Sequence, residues 1–199
     1  MKRLFDLALS AVLLCSFLPF FLMLAFAIAL DSKGGVFYRQ IRIGKAGREF
    51  QLLKFRSMRP NSDQLGQLTV GDRDPRITSV GLFLRKSKMD ELPQLINILK
   101  GDMSWVGPRP EVPKYVDLYS DSEKKVLSVR PGLTDLASIE YIEESELLSK
   151  SKNPEETYIN QILPHKLALQ IEYIENQSML YDLKLICRTL TKILRTLSK

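Results

Sequence analysis

The N-terminal part of the chain constrains the fold most, because residues 7–30 contain no charged side chain. The run reads LALSAVLLCSFLPFFLMLAFAIAL and is long enough for a membrane span, which needs about 20 apolar residues. Pro19 lies near its middle, removes a backbone donor and clashes with the preceding turn, so we expect the helix to break there. Each half is then roughly 18 Å long as helix, too short to cross a hydrocarbon core of about 30 Å.

Three structures fit this run: a signal peptide, a membrane-spanning helix, and a re-entrant helix that enters one leaflet and returns. Lys2, Arg3 and residues 27–29 resemble a signal peptide, but the run exceeds the usual apolar region of about 7–15 residues. Basic residues stand on both sides of the run: Lys2, Arg3, Lys33, Arg39, Arg42, Lys45 and Arg48. The positive-inside rule then places both ends on the cytoplasmic side, which favours re-entry. Pro-kinked spanning helices exist, so the residues alone leave a span open.

The other end of the chain has the pattern of a basic amphipathic helix. Its apolar residues recur at helical spacing: Leu183, Ile186, Leu190, Ile193, Leu194 and Leu197. Its basic residues follow at steps of three or four: Lys184, Arg188, Lys192, Arg195 and Lys199. Such a helix either lies on an anionic membrane or packs on the domain core with a solvated basic face. The net charge of +6 suits an anionic partner, such as a membrane surface, a phosphorylated small molecule or nucleic acid.

Between these ends the pattern is that of a mainly helical domain with a short β-hairpin, an α+β fold. Residues 35–58 read as two strands rich in β-branched and aromatic residues, with the turn sequence KAG between them. This hairpin brings Lys54 and Arg56 close to Arg39 and Arg42. The remaining segments are predicted as a loop at 60–75, helices at 77–88 and 91–99 with a stop at Gly101, and mainly helix over 121–177.

The expected organisation is therefore a membrane segment at 1–32 followed by a compact cytoplasmic domain at 33–199. Cys15 and Cys187 have no disulfide or metal spacing, and we expect both to be small buried hydrophobes in a reducing compartment. His165 is the only histidine, follows a proline and has no evident partner, which argues against Ser–His and Cys–His hydrolases. The chain also lacks Walker and Rossmann glycine patterns.

Two short stretches carry candidate chemistry. In SKMDELPQLIN, Asp90 and Glu91 precede Pro93, which a helix start explains, since Asp caps helices and Glu suits the positive end of the dipole. In GDMSWVGPRPE, two prolines hold the backbone of Arg109 extended, as bidentate phosphate recognition requires. A structural arginine in a proline-rich turn explains that stretch equally simply, so these residues alone favour no chemistry.

The longer motifs are more specific. They are KFRSM (54–58), LRKSKMDELPQLINILKGDMSWVGPRPE (84–111) and RPGLT (130–134), in this order after an apolar N-terminal segment. With them the chain resembles the monotopic phosphoglycosyl transferases, small bacterial sugar transferases, over about residues 1–135. The resemblance implies transfer of a sugar 1-phosphate from a UDP-sugar to a polyprenyl phosphate such as undecaprenyl phosphate, with release of UMP. This reaction is the first membrane step of bacterial glycan synthesis, for O-antigen, capsule, exopolysaccharide or glycoprotein.

The same resemblance implies where the protein lies and which residues act. It implies Mg²⁺ as cofactor and a re-entrant helix broken at Pro19, with the catalytic domain on the cytoplasmic face of the bacterial inner membrane. Asp90 is implied as the nucleophile that attacks the β-phosphorus and holds the phosphosugar covalently until the polyprenyl phosphate attacks it. Asp90 and Glu91 are also implied as metal ligands, and the division of roles between them stays open. The implied phosphate- and nucleotide-binding residues are Lys54, Arg56, Arg85, Arg109 and Arg130.

The chain departs from the family pattern in three places. Leu18 precedes Pro19 where Ser-Pro is common, and Lys88-Met89 precedes the acidic pair where Ser-Leu is common. After RPGLT, the sequence DLASIEYIEE replaces a glycine-containing continuation. Because that region bears on the sugar, the identity of the sugar does not carry over.

One alternative belongs to another class, a membrane-tethered module that binds nucleic acid or anionic lipid. Such a module needs no acids at the focus of its basic patch, whereas Asp90 and Glu91 stand among Arg85, Arg109 and Lys54. The chain also has no recognised nucleic-acid motif. We therefore expect no nucleic-acid partner, and the sequence leaves a homodimer open.

Overall fold

In a computed structural model that describes residues 1–62, 66, 68–71 and 74–198, most of the chain is helical and a small antiparallel sheet accompanies the helices. The predicted mainly helical α+β class is confirmed to this extent. Part of the loop predicted at 60–75, and Lys199 of the predicted basic row, lie outside the described residues.

The helices and strands run as follows along the chain. The helices are α1 (Lys2–Ser16), α2 (Leu18–Asp31), α3 (Ser79–Lys86), α4 (Gln94–Lys100), α5 (Pro113–Val116), α6 (Leu136–Glu140), α7 (Glu144–Ser149), α8 (Pro154–Thr157), α9 (Leu163–Asn176) and α10 (Met179–Leu197). The strands are β1 (Phe37–Ile43), β2 (Glu49–Phe55), β3 (Ser104–Val106) and β4 (Gly132–Thr134). Tight 3₁₀ turns occur at Lys45–Gly47, Met89–Glu91 and Glu123–Ser128, and a π-helical turn, Tyr158–Ile162, joins α8 to α9.

The predicted hairpin is confirmed, with β1 and β2 paired antiparallel from Phe37 opposite Phe55. Asn97 of α4 joins this hairpin: its Oδ1 accepts from the amide of Leu53 at 3.0 Å, and its Nδ2 donates to the carbonyl of Gln51 at 2.8 Å. One buried side chain therefore fixes α4 along β2. This contact also brings the turn that precedes α4 next to Lys54.

A short parallel pair, β3 with β4, was not predicted from the sequence. Ser104 lies opposite Gly132, and Val106 lies opposite Thr134. Beside this pair the two chains approach so closely that a Cβ on Gly132 would lie 2.1 Å from the backbone nitrogen of Gly107. Glycine is therefore required at this crossing. The crossing holds the Pro-Arg-Pro loop at 108–110 against β4.

The apolar N-terminal segment forms two helices, α1 and α2, bent by 66°. The break lies at Phe17, and Pro19 stands in the first turn of α2, where its missing N–H is tolerated. The predicted break is confirmed. Among the described residues no single helix combines the length and the apolar composition that crossing a membrane requires, whereas α1 and α2 together reach them.

Both ends of this bent pair are attached to the rest of the domain. The Lys2 ammonium contacts Oδ2 of Asp182 at 2.7 Å, and the Arg3 guanidinium donates to the carbonyl of Ile98 at 2.7 Å. Asp6 is buried and accepts from the hydroxyl of Ser104 at 2.7 Å. At the other end, Oδ2 of Asp31 accepts from the first turn of α3 at 2.9 Å. Lys2 and Arg3 therefore bind other parts of the domain. The sequence analysis, which considered only their charge beside the apolar run, did not predict these contacts.

The C-terminal helix α10 behaves differently along its length. In its first half Leu185 is fully buried against Val106 and Tyr173. In its second half Leu190 and Leu194 are 57% and 65% exposed. The first half therefore matches the core-packed alternative, while the second half leaves its apolar face uncovered within the described chain.

Three local expectations were wrong. Cys15 and Cys187 are free, as expected, but exposed rather than buried. His165 does have a partner, because its Nδ1 lies 2.8 Å from the hydroxyl of Tyr141. The helix predicted from residue 91 begins at Gln94, after a separate 3₁₀ turn and Pro93.

Candidate active site

An open cleft of about 1230 Å³ runs across the domain. Its walls come from the bend between α1 and α2, the β-hairpin, the Met89–Glu91 turn, the Pro-Arg-Pro loop, and helices α7, α9 and α10. The helical bend and α10 contribute apolar side chains such as Phe17, Phe20 and Leu190. The hairpin and the turn contribute charged side chains, so the cleft combines an apolar and a polar lining.

Asp90 and Glu91 project from the 3₁₀ turn rather than from the start of α4. Lys88, just before the turn, has the left-handed φ of 57° that reverses the chain after α3. Pro93 occupies the N-cap position of α4, and no side chain caps that helix. The helix start that the sequence pattern suggested therefore does not account for the two acids. Their ionisation depends instead on burial and on neighbouring cations.

Glu91 is held by two cations. Its Oε1 accepts from the ammonium of Lys54 at 3.1 Å and from the guanidinium of Arg109. Burial alone would raise the pKa of Glu91, but Arg109 and Lys54 outweigh burial and lower this pKa below its usual value. Glu91 is therefore a fixed anion that orients two cations.

Asp90 differs from Glu91 in that no neighbouring group is bound to its carboxylate in the described chain. It is 5% exposed and, among the residues that the structure describes, accepts no hydrogen bond and forms no ion pair. Burial raises the pKa of Asp90, and the charge of Glu91 adds to that rise, while Lys54 and Arg85 oppose it. Of the two acids, Asp90 is the one whose oxygen atoms are uncommitted.

Arg109 is placed by contacts from β4 and the residue that follows it, on the far side of the close glycine crossing. Its backbone amide donates to Oδ2 of Asp135 at 3.1 Å, and its Nη1 donates to the carbonyl of Leu133 at 3.3 Å. Asp135 is fully buried and also caps α6 by accepting from Ser138 at 2.6 Å. Sequence reasoning missed Asp135, although an Asp before the helical pattern LASIE is an N-cap signal that could have found it.

Two further cations face the acids. Arg85 lines the cleft, acts on the carboxylate of Asp90, and has no ion pair or hydrogen bond within the described chain. Lys88, which the sequence analysis noted only as a departure from the family pattern, acts on both acids and donates to the carbonyl of Ile142 at 3.4 Å. We call Lys54, Arg85, Lys88, Asp90, Glu91 and Arg109 the dyad site. Four cations against two carboxylates leave a formal excess of two positive charges, which suits a diphosphate.

Comparison with known proteins decides the family. The bacterial sugar transferase family matches the chain over residues 1–196. The chain belongs to this family. The resemblance seen in the motifs is thus confirmed over almost the whole sequence.

Curated relatives agree with this placement. A Caulobacter vibrioides protein named UDP-glucose:undecaprenyl-phosphate glucose-1-phosphate transferase is 37% identical over 98% of this chain and 70% of its own length. An Aeromonas hydrophila UDP-N-acetylgalactosamine-undecaprenyl-phosphate N-acetylgalactosaminephosphotransferase is 36% identical over 97% of this chain and 43% of its own length. An Escherichia coli protein with the same name as the first is 33% identical over 96% of this chain and 40% of its own length. The chain is therefore similar to enzymes named for two different sugars.

Two of the basic residues predicted for this sugar transferase lie away from its acids. Arg56 is at the rim of the cleft, where its guanidinium donates to the carbonyl oxygens of Gly35 and Phe37 at 2.9 and 3.2 Å. Arg130 is outside the lining of the cleft, and its Nε donates to the carbonyl of Gly101 at 2.9 Å. The structure thus brings Lys54, Arg85 and Arg109 to the acids. The placement gives no support to phosphate binding by Arg130.

The acids of the transferase provide a donor set that fits Mg²⁺. Among the described residues no group of three or more His, Cys, Asp or Glu side chains could hold a metal ion alone. Mg²⁺ sites in phosphoryl-transfer enzymes commonly use one or two carboxylates, with substrate phosphates and water completing the shell. Asp90 is uncommitted, and both hydrogen bonds to Glu91 go to Oε1 rather than Oε2. These two carboxylates therefore leave oxygen atoms for such a shell.

Proposed function

We propose that this sugar transferase moves a sugar 1-phosphate from a UDP-sugar to undecaprenyl phosphate and releases UMP, with Asp90 as covalent nucleophile. The relatives' names support the general reaction. The observation that carries the assignment of Asp90 is its buried carboxylate, without a partner in the described chain, beside an equally uncommitted Arg85. A residue kept for structure would be paired, as Glu91 is.

In the first step an oxygen of Asp90 attacks the β-phosphorus of the UDP-sugar. A bond forms between this oxygen and phosphorus, the bond from phosphorus to the bridging oxygen breaks, and UMP leaves with the electron pair. An anion must approach a diphosphate, so Coulomb repulsion is the main barrier. Arg109 and Lys54, oriented by Glu91, and the uncommitted Arg85 supply positive charge where the phosphates would lie.

In the second step a phosphate oxygen of undecaprenyl phosphate attacks the phosphorus of the Asp90 phosphosugar. The new bond forms the polyprenyl diphosphate sugar, and Asp90 leaves as a carboxylate, ready for another cycle. Covalent catalysis of this kind divides one difficult displacement into two easier ones. The apolar lining from the bend of α1 and α2 and from α10 suits the isoprenoid part of this acceptor.

Asp90 and Oε2 of Glu91 would hold Mg²⁺ in this proposal. When bound, Mg²⁺ supplies charge that offsets the phosphate oxygens of the substrate. The protein residues then share the remaining tasks: Glu91 fixes Lys54 and Arg109, and Asp90 presents its second oxygen to phosphorus. A cation beside Asp90 also favours its ionised form, against the effect of burial.

We further propose that α1 and α2 form a re-entrant membrane helix at the cytoplasmic face of the bacterial inner membrane. Contacts of Lys2 and Asp31 attach both ends of the pair to the same domain, so both ends belong on one side of the membrane. Between these ends, Leu22, Met23 and Phe26 are 63%, 58% and 68% exposed. Exposed apolar area of this extent is expected of a surface that faces lipid. The exposed half of α10 would lie at the same interface.

The reaction is tested by UMP release from UDP-glucose, UDP-galactose, UDP-N-acetylglucosamine and UDP-N-acetylgalactosamine, with undecaprenyl phosphate and Mg²⁺ in detergent. We expect at least one UDP-sugar to release UMP and Asp90→Asn to abolish that release. Asp117→Asn, a surface control, should keep full activity. EDTA should remove the activity and added Mg²⁺ should restore it. Full activity of Asp90→Asn would contradict the nucleophile assignment.

The topology is tested in a background without Cys15 and Cys187. Single cysteines introduced next to Met1 and at Ser32 are labelled with an impermeant maleimide in intact cells and in inverted vesicles. Re-entry predicts that both positions react only in inverted vesicles. Labelling of the two positions from opposite sides would show a spanning helix instead.

A further inference from the structure

The cleft contains a second polar cluster that the dyad site does not include. We call it the Glu111 network, and its members are Arg42, Glu111, Glu144, Tyr158 and Lys166. Oε2 of Glu111 accepts from Arg42 at 3.4 Å, and Oε1 of Glu111 accepts from the hydroxyl of Tyr158 at 2.9 Å. The Lys166 ammonium contacts Oε2 of Glu144 at 2.9 Å and the hydroxyl of Tyr158 at 3.4 Å. All five side chains line the cleft.

The network adjoins the dyad site through two strand residues. Arg42 of β1 is close enough to Lys54 of β2 for its charge to act on that ammonium. Lys54 in turn contacts Glu91. The Glu111 network is thus a continuation of the dyad site along the cleft, as a subsite for the adjacent part of one ligand would be.

The two clusters differ in charge. Arg42 and Lys166 balance Glu111 and Glu144, so the network has no formal net charge, whereas the dyad site has an excess of two positive charges. Phosphates therefore prefer the dyad site, and the network suits an uncharged group with many hydroxyls. A carboxylate accepts hydrogen bonds from hydroxyl groups, and an ammonium donates hydrogen bonds to hydroxyl groups. One Glu–Lys pair can therefore bind two neighbouring hydroxyls of a sugar.

The local backbone is also unusual. Tyr158 begins a π-helical turn, Tyr158–Ile162, inside the long helix formed by α8 and α9. Turns of this kind are rare and occur frequently at functional sites. Here the turn presents the Tyr158 hydroxyl to Glu111 while its ring packs on Tyr115 at 4.8 Å. The carboxylate of Glu111 is thereby held in a fixed orientation.

We propose that the Glu111 network binds the sugar of the nucleotide sugar, and that Glu144 and Lys166 at its outer end contact sugar hydroxyls and set the sugar preference. This inference rests on the proposed function. Glu144 is 27% exposed and Lys166 10% exposed at their side chains, so the pair is covered but reachable from the cleft. Glu144 ends the segment DLASIEYIEE, which departs from the family pattern, and Lys166 lies further along the chain.

Ribose is the other hydroxyl-bearing part of a UDP-sugar, and the experiment separates it from the hexose. The variants are Glu144→Gln, which keeps the shape of the side chain, and Lys166→Met, which removes the ammonium. For each we measure kcat/KM with the four UDP-sugars named above, and the Kd of UDP by calorimetry. Thermal unfolding in detergent shows whether each variant is folded, and Glu144→Gln suffices for the test if Lys166→Met does not fold.

We expect both variants to lower kcat/KM for the preferred UDP-sugar by about tenfold or more, the range for a lost hydrogen bond to a charged group. The ratio of kcat/KM between the preferred sugar and its competitors should also change, while the Kd of UDP stays within about twofold. Lys125→Met is the matched control. It removes the lysine of another Lys–Glu pair, which joins the Glu123–Ser128 turn to Glu175 of α9 at 2.6 Å, outside the lining of the cleft. Lys125→Met should change neither kcat/KM, nor its ratio between sugars, nor the Kd of UDP.

Three outcomes overturn the inference. An equal fall for all four sugars would assign the pair a structural role. A parallel loss of UDP affinity would assign the network to the nucleoside. Unchanged kinetics in folded variants would remove the pair from the site altogether. Each of these outcomes leaves the proposed function standing, because the wild-type enzyme still releases UMP. Absence of UMP release from every UDP-sugar by the wild type would instead overturn the proposed function, and this inference with it.

Discussion

At the dyad site, Asp90 and Arg85 both line the cleft and form no ion pair in the described chain, whereas in the Glu111 network Arg42 pairs with Glu111 and Lys166 with Glu144. Burial raises the pKa of Asp90. In Glu111, Arg42 and Lys166 outweigh burial and lower the pKa. The difference shows which carboxylate contributes to stability and which is kept available: Glu111 is stabilised as an anion by its own fold, and Asp90 is not.

The largest effect is expected at Arg109, the arginine of the dyad site that is paired with Glu91. Arg109→Met removes a cation from the dyad site and leaves the partly buried Glu91 with Lys54 as its remaining partner. We expect loss of detectable UMP release and a fall in the free energy of unfolding of about 2 kcal/mol, because Glu91 loses one of its two charged hydrogen-bond donors. Chemical denaturation in detergent measures this free energy. Unchanged stability would show that Lys54 alone holds Glu91.

A smaller effect on activity, without an effect on stability, is expected at Arg85. Its guanidinium has no partner in the described chain, so Arg85→Met should change the free energy of unfolding by less than about 0.5 kcal/mol. It should lower kcat/KM by about 10- to 100-fold, the range for a lost charged hydrogen bond to a phosphate.

Arg56→Met is the control for Arg85, since Arg56 is bound to backbone carbonyls at the rim of the cleft. It should lower kcat/KM by much less than Arg85→Met does. A larger loss in Arg56→Met than in Arg85→Met would reverse the assignment of the phosphate-binding arginine.

Replacing Asp90 and Glu111 by their amides should change the stability of the protein in opposite directions. Because the folded state raises the pKa of Asp90, ionised Asp90 destabilises the fold at neutral pH. Asp90→Asn is therefore expected to be more stable than the wild type by about 1 kcal/mol in EDTA, while inactive. Glu111→Gln should be less stable by a similar amount, since three donors lose a charged acceptor. Destabilisation by Asp90→Asn would show that Asp90 has a structural partner.

The smallest effect concerns pH. The folded-state pKa of Glu111 lies below its ordinary value of 4.5, so its contribution to stability is fully present above that value. The contribution is lost as the pH falls through the lower, folded pKa. The wild type should therefore lose stability from pH 5 downwards more steeply than Glu111→Gln. Parallel stability curves for the two proteins would contradict the stabilising role of Glu111.

Local patterns predicted local structure well. The hairpin is encoded in two adjacent stretches, and β1 and β2 formed where the β-branched and aromatic residues indicated. Pro19 acts on its own turn, and the helix broke two residues before it. Gly101 has the positive φ of 97° expected where α4 stops. In each case the deciding interaction lies within a few residues of the signal.

The features that the sequence did not predict depend on contacts between distant residues. Strands β3 and β4 are three residues each, too short for a period, and their pairing rests on the glycine crossing. The start of α4 was misplaced because a left-handed Lys88 and a 3₁₀ turn separate α3 from α4. The side-chain partners of Glu111 lie at position 42 and beyond position 157, and no regular spacing in the sequence predicts the Glu111 network. The family motifs predicted Arg85 and Arg109 as site residues. Only the structure shows that Arg109 is paired with Glu91 and that Arg85 has no partner in the described chain.

The central claim is that Asp90 is left uncommitted because it forms the covalent bond, and intact-protein mass spectrometry tests it most directly. The enzyme is mixed with its preferred UDP-sugar and Mg²⁺ in the absence of undecaprenyl phosphate. We predict release of one equivalent of UMP, a mass increase of one phosphosugar located on the peptide that contains Asp90, and neither change in Asp90→Asn. UMP release that requires both substrates together, with no adduct, or an adduct on another residue, would contradict the account.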